Sequence, residues 1–266
     1  MSEHRRERIY RTEAIVIGRM DLGEADRIMT LYTPQRGKLR VIAKGIRRPT
    51  SKMAPHLEYF SRCQLLLAKG RDLDVVTNAE TIDPFWPIRS DLEAFGHASH
   101  LVELLNRLTQ DQQAQEGAYD LLLRSLRLLA DGVDPFAVTR HYELGLLTIL
   151  GFRPQLYRCV GCEREIAAEV NSLSARLGGM VCPNCAAADS SAVAASINAQ
   201  KYLRTLDRAG LAAAAQLHPD QATAAEIERA LGHYVRHYTE RDLSSLRVLR
   251  SIREGLPAGG SYDSTT

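Results

Sequence analysis

The sequence predicts an α+β multidomain protein, in which a small five-stranded barrel precedes an all-α unit interrupted by a cysteine-rich segment. Short strand-like runs separated by turn residues fill the first 83 residues. After Asp83-Pro84 the apolar residues change to a helical spacing. Two CxxC pairs then interrupt the helical pattern between residues 159 and 185.

The barrel prediction rests on five runs: "TEAIVIGR", "ADRIMTLYT", "KLRVIAKGI", "CQLLLAKG" and "DLDVVTNAETI". Turn residues separate them at Asp21–Gly23, Pro34–Gly37, Arg48-Pro49 and Lys69–Arg71. Five short strands in so short a region favour a closed or half-closed barrel, because an open sheet would leave its edges exposed.

Helical signals follow in order. Ser90-Asp-Leu-Glu93 fits a capping box, a second helix runs through "AYDLLLRSLRLLADG", and a third begins at Asp134-Pro135. Beyond the cysteines, we expect a helix from about 196 to 208 ended by Gly210, one at 219–239, and a last one in "DLSSLRVLRSI". The predicted units are a barrel domain (1–83), a helical domain in two parts (84–156 and 189–254), a cysteine unit (157–188) and a disordered tail (255–266).

The cysteine unit has the spacing of a structural zinc site. Nineteen residues separate the pairs, which are Cys159, Cys162, Cys182 and Cys185. Each tight turn can present two thiolates, and two turns complete a tetrahedron around one structural Zn²⁺ with no open position for catalysis. A disulfide pair or four unrelated thiols are the alternatives, and both are disfavoured in a cytosolic protein. Cys63, in an apolar run, is expected to be a small core residue.

Positive charge is concentrated near the N-terminus. The formal net charge is +2, yet residues 1–52 carry thirteen Lys or Arg against six acidic residues. The stretch "RGKLRVIAKGIRRPTSK" holds no acid and seven cations, which are Arg36, Lys38, Arg40, Lys44, Arg47, Arg48 and Lys52. Such a cluster predicts a polyanionic partner, although a solvated strand face is the alternative.

Strand alternation gives this charge a direction. Leu39, Val41 and Ala43 fall on one side of the strand, whereas Lys38, Arg40 and Lys44 fall on the other and only Ile42 interrupts them. The prediction is a core face and an outward cationic face. Tyr32 on the preceding strand is the candidate stacking residue for a nucleic acid base, with a core or half-exposed tyrosine as the alternative.

Other function classes find little support. The chain has no GxxxxGK[ST], GxSxG or HExxH motif and no GxGxxG motif after a strand, which disfavours an enzyme. No apolar run approaches the roughly 18 residues of a membrane span, and no apolar signal region follows "MSEHRRERIY". We therefore expect a soluble, cytoplasmic protein with no membrane partner.

The segment from "YRTEAIVIGRMDLGEADRIMTLYTPQRGKLRVIAKGIRRPTSK" onward resembles the N-terminal region of the RecO family of bacterial recombination mediators. "YELGLLTILGFRPQLYRCVGC" and the following CPNC resemble that family's junction between helix and zinc finger. The resemblance runs through about Cys185, and the C-terminal third is only loosely similar.

The resemblance implies an N-terminal OB-fold and a non-enzymatic, nucleoid-associated role in DNA repair. It implies binding of single- and double-stranded DNA, annealing without ATP, and action with RecR to load RecA onto strands coated by single-strand-binding protein, whose C-terminal tail is a further partner. Carried over by position, the family's basic face falls on Lys38, Arg40, Lys44, Arg47 and Arg48, and its metal ligands on the four cysteines.

Two other functions remain open on the residues alone. An OB/zinc-ribbon RNA-binding adaptor of transcription or translation would carry the same phosphate contacts. A zinc hydrolase would require an open metal position, which four thiolates do not leave.

Overall fold

A computed structural model describes residues 8–239 and 243–253. The predicted disordered tail at 255–266 lies outside these residues. The first unit contains five strands, which are β1 (Ile9–Leu22), β2 (Asp26–Thr33), β3 (Gly37–Ala43), β4 (Arg62–Ala68) and β5 (Asp74–Asp83). None of the helices in the described part of the chain has the length and apolar character to cross a membrane.

The five strands close into a barrel in the order β1-β2-β3-β5-β4, with β4 pairing back onto β1. This exchange of β4 and β5 is the arrangement of an OB-fold, so the predicted barrel is confirmed. A register shift between Val16 and Gly18 divides β1, whose first half pairs with β4 and whose second half pairs with β2. One long, bent strand thereby closes the barrel.

The barrel interior is a separate core. Alternate residues of β3 enter it, since Leu39, Val41 and Ala43 are at most 6% exposed. Cys63 is fully buried there and its Sγ donates to the Ala14 carbonyl, as expected of a core cysteine.

The helical unit contains seven α-helices in the described residues. They are α1 (Trp86–Ser90), α2 (Leu92–Leu108), α3 (Ala118–Ala130), α4 (Pro135–Ile149), α5 (Ile197–Ala215), α6 (Gln221–Thr239) and α7 (Ser244–Arg253).

 Four of them precede the cysteine unit and three follow it.

Local capping explains where these helices begin, and it corrects one sequence prediction. Asp134 accepts from the backbone N–H groups of Phe136 and Ala137 and caps α4, as expected. The cap of α2 is Asp91, which accepts from Ala94 N, and not Ser90, which ends the short helix α1. Gly210 (φ 77°, ψ −172°) is non-helical and ends the first helical segment of α5, as predicted, and a second segment continues to Ala215.

The cysteine unit folds around a small sheet with the order β7-β6-β8, formed by β6 (Asn171–Ser174), β7 (Gly179–Val181) and β8 (Val193–Ala195). Its buried residues Leu173 and Met180 belong to the same core cluster as the helices. The unit is therefore packed into the helical domain rather than hanging from it.

The barrel is also packed tightly against the helical domain. The side chains of Ile15 and Tyr32 lie outside the barrel interior and belong to the helical core. Glu13 accepts two hydrogen bonds from Arg62 and one from the Tyr119 hydroxyl. These bonds lower the pKa of Glu13, and the contribution of Arg62 is the largest. This contact ties β1 and β4 to α3.

Candidate metal centre and nucleic-acid interface

The four cysteines of the two CxxC pairs lie together. All four Sγ atoms of Cys159, Cys162, Cys182 and Cys185 are within 4.8 Å of one another, and the Cys162 and Cys182 sulfurs are 3.9 Å apart. Four thiolates at about 2.3 Å from one Zn²⁺ would be about 3.8 Å apart, whereas a disulfide requires about 2.05 Å. The predicted cluster is thus confirmed as a group able to hold a metal ion.

Backbone donors favour thiolates in this cluster. Burial opposes ionisation of Cys159, but hydrogen bonds from the backbone N–H groups of Cys182, Cys162 and Gly161 outweigh it and lower the pKa of Cys159 to about 6. The N–H of Arg164 lowers the pKa of Cys162. Because the thiolate is the form that binds metal, these donors favour metal binding at Cys159 and Cys162. Hydrogen bonds with the thiols of Cys182 and Cys162 raise the pKa of Cys185 to about 12.

Gly161 allows the two CxxC turns to approach each other. A Cβ at this position would lie 3.0 Å from the Cys185 Cβ and 3.1 Å from its Sγ. A side chain here would push the second turn away from the first, so the close approach of the sulfurs depends on this glycine.

The outer face of β3 carries exposed cations, as strand alternation predicts. Arg40 and Lys44 are exposed on the side of the strand opposite to the barrel core, and Arg48 and Lys52 are exposed in the segment that follows. These four side chains form no hydrogen bond or ion pair with any residue of 8–239 and 243–253. We call Arg40, Lys44, Arg48 and Lys52 the cationic face.

Lys38 is not part of this face, which corrects the prediction that it belongs to an exposed cationic row. Its side chain does lie on the outer side of β3, but α2 and the residues after it cover it and leave it 9% exposed. The Nζ donates to the carbonyls of Asn106 (2.8 Å) and Thr109 (2.7 Å) and lies 3.3 Å from Asp111 Oδ1. Lys38 therefore docks the barrel onto the helical domain.

We expect Lys38→Met to lower the free energy of unfolding of the protein. The variant keeps the aliphatic stem but leaves two buried carbonyls unpaired, at about 1–3 kcal/mol each. Urea titration should show a lower midpoint with an unchanged slope. A midpoint equal to that of the wild type would contradict this docking role of Lys38.

Tyr32 cannot act as the predicted stacking residue. It is 1% exposed, and its ring belongs to the helical core rather than to a solvent-exposed face. The β2–β3 register places it directly opposite Lys38, so the same helices cover both residues. The cationic face has no stacking tyrosine at this position.

Two further arginines of the basic stretch already have partners. The Arg47 guanidinium donates to the Gly23 carbonyl and lies 3.4 Å from Asp21, an acid that the local sequence did not indicate. Arg36 is exposed, but its guanidinium stacks 4.4 Å from the centre of the Tyr10 ring. Both remain charged surface groups, but their side chains have less conformational freedom than those of the cationic face.

An aliphatic row runs beside the cations and was not predicted as a unit. Met20 pairs with Ile28, and Ile28 pairs with Ile42 on the neighbouring strand. Met20 is 55% exposed. Ile42 interrupts the cationic face because it belongs to this cross-strand row. The sequence signal for the row was the period-two pattern of β1, β2 and β3, compared with one another.

Comparison with known proteins agrees with this architecture. The family model "Recombination protein O N terminal" matches residues 7–85, and "Recombination protein O C terminal" matches residues 89–247. A DNA repair protein RecO from Roseiflexus sp. (strain RS-1) is 43% identical over 251 residues, covering 94% of this chain and 88% of the relative. The RecO protein of Desulforudis audaxviator (strain MP104C) is 37% identical, covering 91% of this chain and 97% of the relative.

A third relative, DNA repair protein RecO from Symbiobacterium thermophilum, is 35% identical over 92% of this chain and 98% of its own length. The two family models together cover the barrel, the cysteine unit and most of the helical residues. The chain therefore belongs to the RecO family of DNA repair and recombination proteins.

Proposed function

We propose that this protein is a non-enzymatic mediator of recombination that binds single- and double-stranded DNA and anneals complementary strands without ATP. With RecR, it would help to load RecA onto strands coated by single-strand-binding protein, whose C-terminal tail it would contact. The proposal places it at the nucleoid in the cytoplasm. The observation that carries the proposal is the cationic face, whose side chains have no partner among the described residues.

The cationic face suits transient binding. Phosphate contacts carry no sequence information, so a face of this kind can accept any strand. Their strength falls steeply with salt, which keeps the affinity moderate and allows release after pairing. An annealing protein requires both properties, because it must hold two strands and then give up the duplex.

The metal proposed for the cysteine cluster is one structural Zn²⁺. Four sulfur ligands fit its tetrahedral preference and leave no position for a water or a substrate. The ion would supply folding energy to the cysteine unit, whose residues pack into the helical core.

A side-by-side titration tests the preference for DNA. We expect fluorescence polarisation to show binding of a labelled 20-nucleotide DNA strand, its duplex and an RNA strand of the same sequence, with no strong preference for RNA. A strong RNA preference would contradict the proposal and favour an RNA-binding adaptor.

A further inference from the structure

The only tryptophan of the chain lies on the surface at the junction between barrel and helices. Trp86 begins α1 and is 65% exposed, although tryptophan is highly buried on average. The guanidinium carbon of Arg89 lies 4.8 Å from its ring centre. One face of the indole is thus backed by a cation, and its exposure comes from the opposite face and the edge.

Arg89 is itself held in place. Its Nη2 donates to Ser61 Oγ (2.6 Å) and to the Pro84 carbonyl (2.9 Å). Because both acceptors belong to segments that flank the barrel, the guanidinium is fixed behind the indole. Trp86 is therefore a supported platform and not a loose surface side chain.

A second pair of the same kind lies beside it. The Arg19 guanidinium is 4.9 Å from the centre of the Tyr59 ring and 3.0 Å from Glu58. Tyr59 is two residues from Ser61, the partner of Arg89. We call Arg19, Tyr59, Trp86 and Arg89 the junction patch.

The backbone is strained next to both aromatic residues of the patch. Phe60 (φ 68°) and Phe85 (φ 47°) adopt left-handed conformations, which are outliers for bulky residues. Both phenylalanines are buried, at 0% and 3% exposure. These turns bury each phenylalanine while its neighbour, Tyr59 or Trp86, stays nearer the surface.

A cleft of about 280 Å³ opens beside the indole. Asp83, Asp131 and Arg127 contribute the charged groups of its wall, and Pro84 and Pro87 contribute apolar surface. Carboxylates accept hydrogen bonds from the amino groups of nucleobases, as they do from cytosine N4 in DNA grooves. The cleft thus suits a flat, neutral ring with a polar edge better than it suits a phosphate.

The strand registers place the cationic face and this patch two strands apart. Arg40 lies opposite Thr30, and Thr30 lies opposite Gly18. The next residue, Arg19, is in register with Met29 and Val41 and lies on the other face of the sheet. A single strand on the cationic face would therefore have to pass around the end of the barrel to reach the junction patch.

We propose that the junction patch is a stacking site for an unpaired base of a single DNA strand, with Trp86 as its platform. This inference rests on the proposed function and assigns the base contact that the buried Tyr32 cannot make. Proteins that bind single strands combine a cationic groove with aromatic platforms, and each stacked base contributes about 1–3 kcal/mol.

Trp86 is its own reporter, since no other tryptophan contributes emission. A mixed-sequence 20-nucleotide strand and an abasic strand of equal length are titrated while tryptophan emission and the polarisation of a label on the strand are recorded together. We expect both strands to raise the polarisation, but only the strand with bases to quench Trp86. Trp86→Ala should weaken binding of the base-containing strand by about 5- to 150-fold, whereas Trp86→Phe should retain most of the affinity.

Trp86 emission and label polarisation together distinguish a failure of the stacking site from a failure of the proposed function. Binding by polarisation with unchanged Trp86 emission, or equal quenching by the abasic strand, would overturn the stacking site and leave the proposed function standing. Absence of any polarisation change would overturn both. A urea titration checks that Trp86→Ala is folded, and equal affinities of the Ala variant and the wild type would also contradict the stacking site.

Discussion

Replacing Cys159 with Ser is expected to abolish stoichiometric zinc binding and to unfold the cysteine unit. Apparent binding free energies of structural zinc sites are about 10–16 kcal/mol, and this energy is folding energy. Cys159 is 1% exposed and belongs to the helical core, so the loss should spread beyond the metal site. Metal analysis and urea unfolding would measure the effect, and a chelator should reproduce it in the wild type.

Cys63→Ala provides the matched control. Cys63 is as buried as Cys159, but it lies in the barrel core and outside the cluster. This variant should keep one zinc ion per chain. Full zinc content in Cys159→Ser would contradict the assignment of this residue as a ligand.

The double variant Arg40→Ala/Lys44→Ala is expected to flatten the salt dependence of single-strand binding. Each phosphate contact contributes a slope of about 0.7 in log affinity against log salt, so losing two contacts lowers the slope by about 1.4. Both side chains are exposed, and folding should be unaffected. Binding isotherms at four or five salt concentrations would measure the slope.

The double variant Arg124→Ala/Arg229→Ala is the matched control. It removes two positive charges, as Arg40→Ala/Lys44→Ala does, but from the exposed surfaces of α3 and α6. Its slope should equal that of the wild type. If both double variants lowered the slope equally, net charge and not the cationic face would govern binding.

The barrel strand β3 shows how far sequence patterns reach. Period-two alternation placed Leu39, Val41 and Ala43 inside the barrel, and they lie there. The same pattern placed Lys38 on the outer side, which is also true. It could not show that Asn106 and Thr109, about seventy residues later, cover that part of the outer side.

Contacts between distant segments account for the other differences. The Asp21 carboxylate reaches Arg47 because the pairing of β1, β2 and β3 brings the end of β1 beside the segment after β3. Tyr32 is buried because the helices dock on β2. By contrast, the cysteine cluster depends on two local turns, and the CxxC spacing predicted it without knowledge of the rest of the fold.

The junction patch was missed for the same reason. Trp86 and Arg89 are neighbours in sequence, but their relation to Tyr59 and Ser61 requires the folded barrel. The available sequence signal was the single tryptophan, Trp86, which lies between Pro84 and Pro87 directly after the last barrel strand.

Strand annealing without ATP is the decisive test of the cationic face. Complementary strands coated with single-strand-binding protein are mixed with the wild type, with Arg40→Ala/Lys44→Ala or with Arg124→Ala/Arg229→Ala, and duplex formation is followed by fluorescence. The cationic face predicts acceleration by the wild type and by the second variant, and little by the first. No acceleration by the wild type, or equal acceleration by all three proteins, would contradict it.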